Sequence, residues 1–177
     1  MSARLVAVNV VHELIRGPTR WTAIDKRPVA GAVEVGELGL VGDRQCDTRY
    51  HGGPDKALYA YAEEDADWWA VELGREIPPG LFGENLTTRG LDITGALIGE
   101  RWRIGRILVE VRSPRTPCGN LAGRMGIKRF HHRFARTGRV GAYLRVLETG
   151  KVRAGDRIVV EHRPADARTI GGEARGT

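Results

Sequence analysis

The sequence RWRIGRILVEV, residues 101–111, is the stretch that most directly indicates the fold. It contains two runs rich in apolar and β-branched residues, Arg101–Ile104 and Ile107–Val111, on either side of Gly105. Two such runs joined by a short turn that contains glycine are typical of a β-hairpin. We therefore predict two adjacent strands here, and similar patterns extend outward from them in both directions.

Short apolar or alternating segments predict further strands on both sides of this hairpin. They are Arg4–Val11, Gly31–Val35, Leu58–Tyr61, Glu84–Thr88, Tyr143–Leu147 and Arg157–Val160. Glu63–Leu73 is predicted as a helix, because acidic residues begin it and Gly74 ends it. One or two short helices are expected within residues 121–136. Many short strands with glycine-rich turns predict a mainly β fold with a few helices, closed or nearly closed.

The chain has 177 residues, which suits one domain with a substantial core. We assign residues 1–163 to this domain and expect residues 164–177, which lack apolar periodicity, to be a flexible tail. No apolar run approaches the roughly 20 residues needed to cross a bilayer, and the N-terminus lacks a signal-peptide pattern. Two cysteines do not make a disulfide framework. We therefore expect a cytoplasmic protein with no membrane partner.

The positive charge is concentrated in one segment. The formal net charge is +6, yet residues 112–145 contain nine Lys or Arg and no Asp or Glu, so the rest of the chain is slightly acidic. Two interpretations are open: a solvated basic face, or a site for an anion such as nucleic acid, a phosphorylated cofactor or an acidic substrate. The segment contains no recognised nucleic-acid-binding motif, so we expect no nucleic-acid partner.

Cys118 is the main candidate for chemistry. It follows Pro114-Arg115-Thr116-Pro117, in which two prolines restrict the backbone, and it lies in the acid-free segment. A thiol in electropositive, partly exposed surroundings presents a thiolate, which is both a nucleophile and a soft metal ligand. The alternative is a buried, inert cysteine. Cys46 lies between charged residues with no ligand cluster beside it, and we interpret it as incidental.

Two polar loops are weaker candidates for binding. In His51-Gly52-Gly53-Pro54-Asp55-Lys56, two glycines allow close approach of a ligand, and His51 and Lys56 are polar groups that would reach it. Glu84 and Asn85 offer a carboxylate and an amide to a polar heterocycle. A solvated turn explains the first loop about as well, and turn capping explains the second. The phosphate-loop, dinucleotide-binding, zinc-protease and CxxC motifs are absent from the sequence.

Taken together, these segments resemble the MOSC domain, the C-terminal domain of molybdenum-cofactor sulfurases that also occurs as stand-alone bacterial proteins. The matching stretches are residues 22–29, 39–45, 51–61, 81–87, 113–118 and 141–147. Among the stand-alone proteins, the sequence is most similar to the 6-hydroxylaminopurine reductase type. Those relatives usually carry an additional C-terminal helical module, for which we expect no counterpart before Thr177.

The resemblance implies a MOSC-type, β-barrel-like single domain with a cleft for the molybdenum cofactor, a molybdenum ion held by a pyranopterin. It places Cys118 as the metal ligand and catalytic residue. Lys26, His51, Lys56, Arg115 and Arg145 are expected around the anionic cofactor. Glu84 and Asn85 are expected at the edge of its pterin, and Tyr59 is expected to pack against it.

The resemblance also implies an activity. The leading hypothesis is an oxidoreductase that reduces small N-hydroxylated compounds and takes its electrons from a separate redox partner protein with a flavin or an iron–sulfur cluster. The alternative is a carrier in which Cys118 holds the molybdenum cofactor or persulfide sulfur without turnover. The oligomeric state is left open.

Overall fold

The computed structural model describes residues 2–18, 20–46 and 52–176, and it confirms a mainly β fold with a few helices. The helices are α1 (Glu63–Leu73), α2 (Gly119–Met125), α3 (Phe130–Thr137) and α4 (Ile170–Arg175), and a single 3-10 turn covers Pro54–Lys56. The strands are β1 (Arg4–Val11), β2 (Ile15–Arg16), β3 (Trp21–Thr22), β4 (Lys26–Pro28), β5 (Val33–Gly36), β6 (Gly39–Leu40), β7 (Leu58–Ala62), β8 (Leu86–Arg89), β9 (Arg101–Ile104), β10 (Ile107–Pro114), β11 (Ala142–Glu148), β12 (Gly150–Val152) and β13 (Ile158–His162).

The predicted hairpin is present as β9 and β10, and it belongs to an eight-stranded sheet in the order β13-β9-β10-β11-β7-β8-β1-β4. All neighbours are antiparallel except β7 and β8, which are parallel. An isolated bridge between Arg4 and Arg157 brings the start of β1 against the start of β13, without a continuous ladder that would close the sheet. The sheet therefore curls into a barrel-like shape while its ladder order stays open.

One line of paired residues crosses the middle of this sheet. Pro114 pairs with Ala142, Ala142 with Ala60, Ala60 with Leu86, and Leu86 with Val8. β10 ends on this line, and β8 and β11 begin on it. The chain segments that leave β10 and enter β8 therefore emerge close to each other.

The helices form where the sequence supplies starts and stops. α1 begins with three acidic residues, which favour the positive end of the helix dipole, and it ends at Gly74 in a left-handed conformation. α2 and α3 account for the short helices expected within residues 121–136, and each also ends at a left-handed glycine. None of the helices in the described residues is long and apolar enough to cross a membrane.

Two groups of buried side chains form the core. The first lies between the faces of the curled sheet and consists largely of aliphatic residues, with Trp102 among them. The second is aromatic and packs α1, α2 and α3 against β7; its rings include Tyr61, Trp69, Phe82 and Phe134. The helices thus cover the part of the sheet from which Tyr59 and Tyr143 project.

The segment predicted as a flexible tail contains helix α4. Its Ile170 is fully buried, and the backbone amides of Ile170 and Gly171 donate to the carbonyl oxygens of Ala96 and Thr94 at 2.9 and 2.8 Å. The side chain of Thr169 caps the helix by accepting from the amide of Gly172. One buried isoleucine gives no apolar periodicity, which is why the sequence pattern did not indicate this helix.

Candidate functional site

A pocket that is open to solvent lies beside the line where β10 ends and β8 and β11 begin. Five of its buried lining residues carry long polar or aromatic side chains, and we call them the inner wall: Lys26, Tyr59, Asn85, Arg115 and Tyr143. We call its exposed lining residues the rim: Arg20, Trp21, Arg44 and Cys46. Lys56 and Cys118 also line the pocket and are intermediate in exposure.

The inner wall is assembled from strand ends. Lys26 is the first residue of β4, and Asn85 directly precedes β8. Tyr59 on β7 and Tyr143 on β11 are register partners, so their rings lie side by side with centroids 5.6 Å apart. Arg115 directly follows β10, where its amide donates to the carbonyl oxygen of Gly141 at 3.2 Å. Residues far apart in the sequence therefore meet because the sheet brings these ends together.

A buried carboxylate, Asp43, organises one side of the inner wall. Its Oδ2 accepts from the ammonium of Lys26 and, at 2.8 Å, from Nδ2 of Asn85. Its Oδ1 accepts from the amide of Val11 at 2.9 Å. The other amide atom of Asn85, Oδ1, accepts from the amide of Tyr59 at 3.1 Å. Asn85 therefore holds Asp43 in place, and Asp43 fixes Lys26 at the pocket while offsetting its charge.

Asp43 was not among the candidates predicted from the sequence. It lies in the segment 39–45, one of the stretches that carry the MOSC resemblance. The signal was therefore present in the motif, but a lone aspartate in a turn gives no indication that it will meet Lys26, 17 residues earlier.

Arg115 is the most unusual group of the inner wall. The residue is only 7% exposed, its guanidinium lies 5.1 Å from the ring centroid of Tyr59, and its Nη1 has no hydrogen-bond partner among the described residues. Burial alone lowers the pKa of Arg115, but the phenol groups of Tyr59 and Tyr143 outweigh it and the pKa is raised, so the group stays charged. A buried cationic donor without an acceptor is costly unless a ligand supplies one.

The two tyrosines of the inner wall remain neutral. Burial raises the pKa of Tyr59 and Tyr143 above the ordinary value, against the opposing influence of Arg115. The Tyr59 hydroxyl donates to the carbonyl oxygen of Val140 at 2.8 Å. The ammonium of Lys56 lies 5.4 Å from the ring centroid of Tyr143, within the range of a cation–π contact. Tyr143 was also missed from the sequence, where the tyrosines resembled ordinary strand residues.

Cys118 lies at the start of α2, with the extended backbone of an N-cap residue, φ −133° and ψ 178°. It lines the pocket together with Cys46, which we had interpreted as incidental. Within residues 2–18, 20–46 and 52–176, no group of three or more His, Cys, Asp or Glu is arranged to hold a metal ion. A metal ion bound among these residues would therefore take at most two such side chains as ligands.

Two predicted site residues that the structure describes, Glu84 and Arg145, do not line the pocket. Glu84 is buried outside the lining, where its Oε1 accepts from the amide of Gly80 at 2.6 Å and from the Thr87 hydroxyl at 3.1 Å; burial raises its pKa. Arg145 lies 2.8 Å from Asp55 in an ion pair and is not a lining residue. Both corrections have the same cause, because each side chain has protein partners that hold it elsewhere. His51 lies outside the described residues.

The fold and this pocket define the class of protein. The sequence profile of the MOSC domain matches residues 47–159, and the chain belongs to the MOSC domain family. Among solved structures it is similar to YiiM from Geobacillus stearothermophilus, with 33% identity and a TM-score of 0.79 over 96% of this chain and 80% of that one.

Two further relatives are known by sequence. YflK from Bacillus subtilis (strain 168) is 41% identical over 137 residues, which cover 77% of this chain and 62% of YflK. A Gibberella moniliformis (strain M3125 / FGSC 7600) protein named "Reductase" is 35% identical over 147 residues, which cover 81% of this chain and 26% of that protein. The chain therefore spans less than two thirds of the length of these two relatives.

Proposed function

We propose that the pocket binds the molybdenum cofactor, with Cys118 as the molybdenum ligand, and that the protein is an oxidoreductase that reduces small N-hydroxylated compounds. Membership of the MOSC family and a relative named reductase support an oxidoreductase in general. The single observation that carries the cofactor assignment is Arg115, a buried guanidinium that lines the pocket and whose Nη1 has no hydrogen-bond partner among the described residues. Such a donor fits an anionic group that enters from solvent.

The residues present fit a pterin that carries a phosphate and a soft metal. Lys56 and Arg115 supply positive charge to the phosphate, and Lys26, whose charge Asp43 offsets, supplies a hydrogen-bond donor. None of the described residues that line the pocket is Asp or Glu. The neutral rings of Tyr59 and Tyr143 offer apolar surface for the pterin. Cys118 supplies the thiolate that a soft metal prefers. Glu84 and Arg145 have no place in this arrangement, since their side chains are held outside the pocket.

When bound, the cofactor supplies two-electron chemistry at molybdenum, and the net reaction converts R–NHOH, two electrons and two protons into R–NH2 and water. The protein positions the cofactor through the inner wall and leaves the rim side open for the substrate. Because each turnover consumes two electrons, a separate donor protein with a flavin or an iron–sulfur cluster must supply them. We place this activity in the cytoplasm, where thiols such as Cys118 stay reduced.

The decisive experiment measures molybdenum and pterin by mass spectrometry in protein purified from a host that makes the cofactor. We expect close to one molybdenum per chain in the wild type, loss of the metal in Cys118→Ala, and retention in Cys46→Ser as the matched thiol control. Wild-type protein without molybdenum would contradict the proposal. Molybdenum without reduction of hydroxylamines by a chemically reduced dye would instead favour a carrier of the cofactor.

A further inference from the structure

The rim of the pocket exposes a large aromatic side chain. Trp21, on the two-residue strand β3, is 55% exposed and lines the pocket. The other tryptophans in the chain lie against aromatic partners or in the core, as in the packing of Trp69 on Phe134. An exposed indole on a concave, solvent-open surface is a surface for stacking a planar ligand.

Two exposed arginines line the pocket together with this indole. Arg20 precedes Trp21 in the chain, and Arg44 lines the same pocket from the segment after β6. Arg44 forms no ion pair with any residue of the described part of the chain, and no described carboxylate lines the pocket. The guanidinium fork matches the geometry of phosphate and carboxylate groups.

The rim is also distinct from the inner wall in position. Lys26, Arg115 and Tyr143 are buried, whereas Arg20, Trp21 and Arg44 are exposed at the solvent side of the same pocket. If a cofactor is held by the inner wall and Cys118, the rim remains open to a second ligand that enters the pocket from solvent.

We propose that the rim is a substrate subsite that stacks a planar aromatic ring on Trp21 and pairs an anionic substituent, phosphate or carboxylate, with Arg20 and Arg44. This inference rests on the proposed function only in naming the ligand a substrate. It specifies the substrate class as N-hydroxylated aromatic compounds that carry a negative charge. Neutral aromatic compounds and small non-aromatic anions each satisfy only half of the subsite.

Binding of unreactive probes tests the subsite without any turnover. Calorimetry with 1-naphthyl phosphate, 1-naphthoate, 1-naphthol and inorganic phosphate is run on protein purified from hosts with and without cofactor synthesis. We expect the two aromatic anions to bind at least roughly tenfold more tightly than 1-naphthol or phosphate. Comparison of the phosphate and the carboxylate identifies the preferred anion.

Variants then locate the probe. Trp21→Ala and Arg44→Ala are each expected to weaken binding of the preferred aromatic anion about tenfold, whereas Trp21→Phe keeps a stacking ring and most of the affinity. The matched controls are Val71→Ala and Arg153→Ala, which remove an exposed apolar side chain and an exposed charge outside the pocket lining. Both controls are expected to bind like the wild type, and circular dichroism verifies folding of every variant.

Two results would overturn the inference. Equal affinity for 1-naphthol and the aromatic anions would show that the rim does not bind the negative charge of the ligand. Loss of binding in Lys56→Ala but not in Trp21→Ala would place the anion inside the pocket. Failure of the proposed function is a separate result, absence of molybdenum, and rim-dependent binding of aromatic anions would stand beside it.

Discussion

The arginines of residues 112–145 and the cations of the pocket carry the same charge but meet different partners. In the basic segment, Arg124 pairs with Asp25, Arg133 with Glu72, and Arg139 with Asp65. These acids come from the acidic remainder of the chain, 61 to 99 residues away in sequence. In the pocket, Arg115 forms no ion pair with a carboxylate of the described residues, and no described carboxylate lines the wall.

The difference shows that a local count of charges does not locate an anion site. Most of the acid-free segment is neutralised in space by long-range ion pairs, and of its nine basic residues only Arg115 lines the pocket. The other pocket cations, such as Lys26 and Lys56, come from outside the segment. What sets Arg115 apart from the paired arginines of the segment is that it lines the pocket and forms no ion pair with a carboxylate of the described residues.

The largest expected effect follows from removing that cation. Arg115→Gln should weaken retention of the molybdenum cofactor by about tenfold to hundredfold, because a hydrogen bond to a charged group is lost at a buried site. The matched control is Arg145→Gln, which removes an arginine that is paired with Asp55 outside the pocket. Its cofactor content, measured as bound pterin after dialysis, should stay within about twofold of the wild type. Equal losses of bound pterin in the two variants would contradict the prediction that the pocket arginine holds the cofactor and the paired arginine does not.

An intermediate effect tests the paired side of the comparison. Asp25 is almost fully buried, and its carboxylate accepts from Arg124 at 2.7 Å and from Arg27 at 3.1 Å. Asp25→Asn removes the charge that both guanidinium groups meet, and we expect a loss of about 2 kcal/mol in the free energy of unfolding, measured with urea.

The exposed pair Arg133–Glu72 provides the control for Asp25. Both side chains are about two-fifths exposed, so Glu72→Gln should cost under about 1 kcal/mol. If Asp25→Asn and Glu72→Gln lower the free energy of unfolding by the same amount, burial does not determine how much a long-range ion pair contributes to stability.

The sequence predicted the local elements well and the long-range contacts poorly. β1 and α1 begin and end at the predicted residues, because the features that determine them are local in the sequence. β1 is a mostly apolar run, and α1 begins with acidic residues and ends at Gly74. Cys118, Lys26, Lys56, Tyr59, Asn85 and Arg115 were named as site residues, and the structure brings all six to one pocket.

The site residues that were missed or misplaced depend on contacts between distant segments. Asp43 and Tyr143 gain their positions only when β4, β7 and β11 come together, and Arg145 is held outside the pocket by Asp55. Contacts between distant segments cannot be predicted from local composition. The family resemblance did indicate the stretches that contain Asp43, Tyr143 and Arg145.

The smallest expected effect concerns the ion pair of Arg139 with Asp65, a carboxylate whose pKa burial and ion pairing shift in opposite directions. The carboxylate of Asp65 accepts from Arg139 and from the Thr94 hydroxyl, yet burial outweighs these contacts and raises the pKa of Asp65 above its ordinary value of 3.8. The unfolded chain has the ordinary pKa and the folded chain has the raised one. At a pH between the two, the folded chain binds a proton that the unfolded chain has released. The free energy of unfolding therefore falls as the pH rises through this window and is constant above it.

The substitution Asp65→Asn removes this titration. The unfolding free energy of the wild type minus that of the variant should therefore shrink as the pH rises from about 3.8 toward 7, as measured by urea unfolding across this range. A difference that grows with pH would mean that the ion pair with Arg139 outweighs burial at Asp65 and would contradict the prediction.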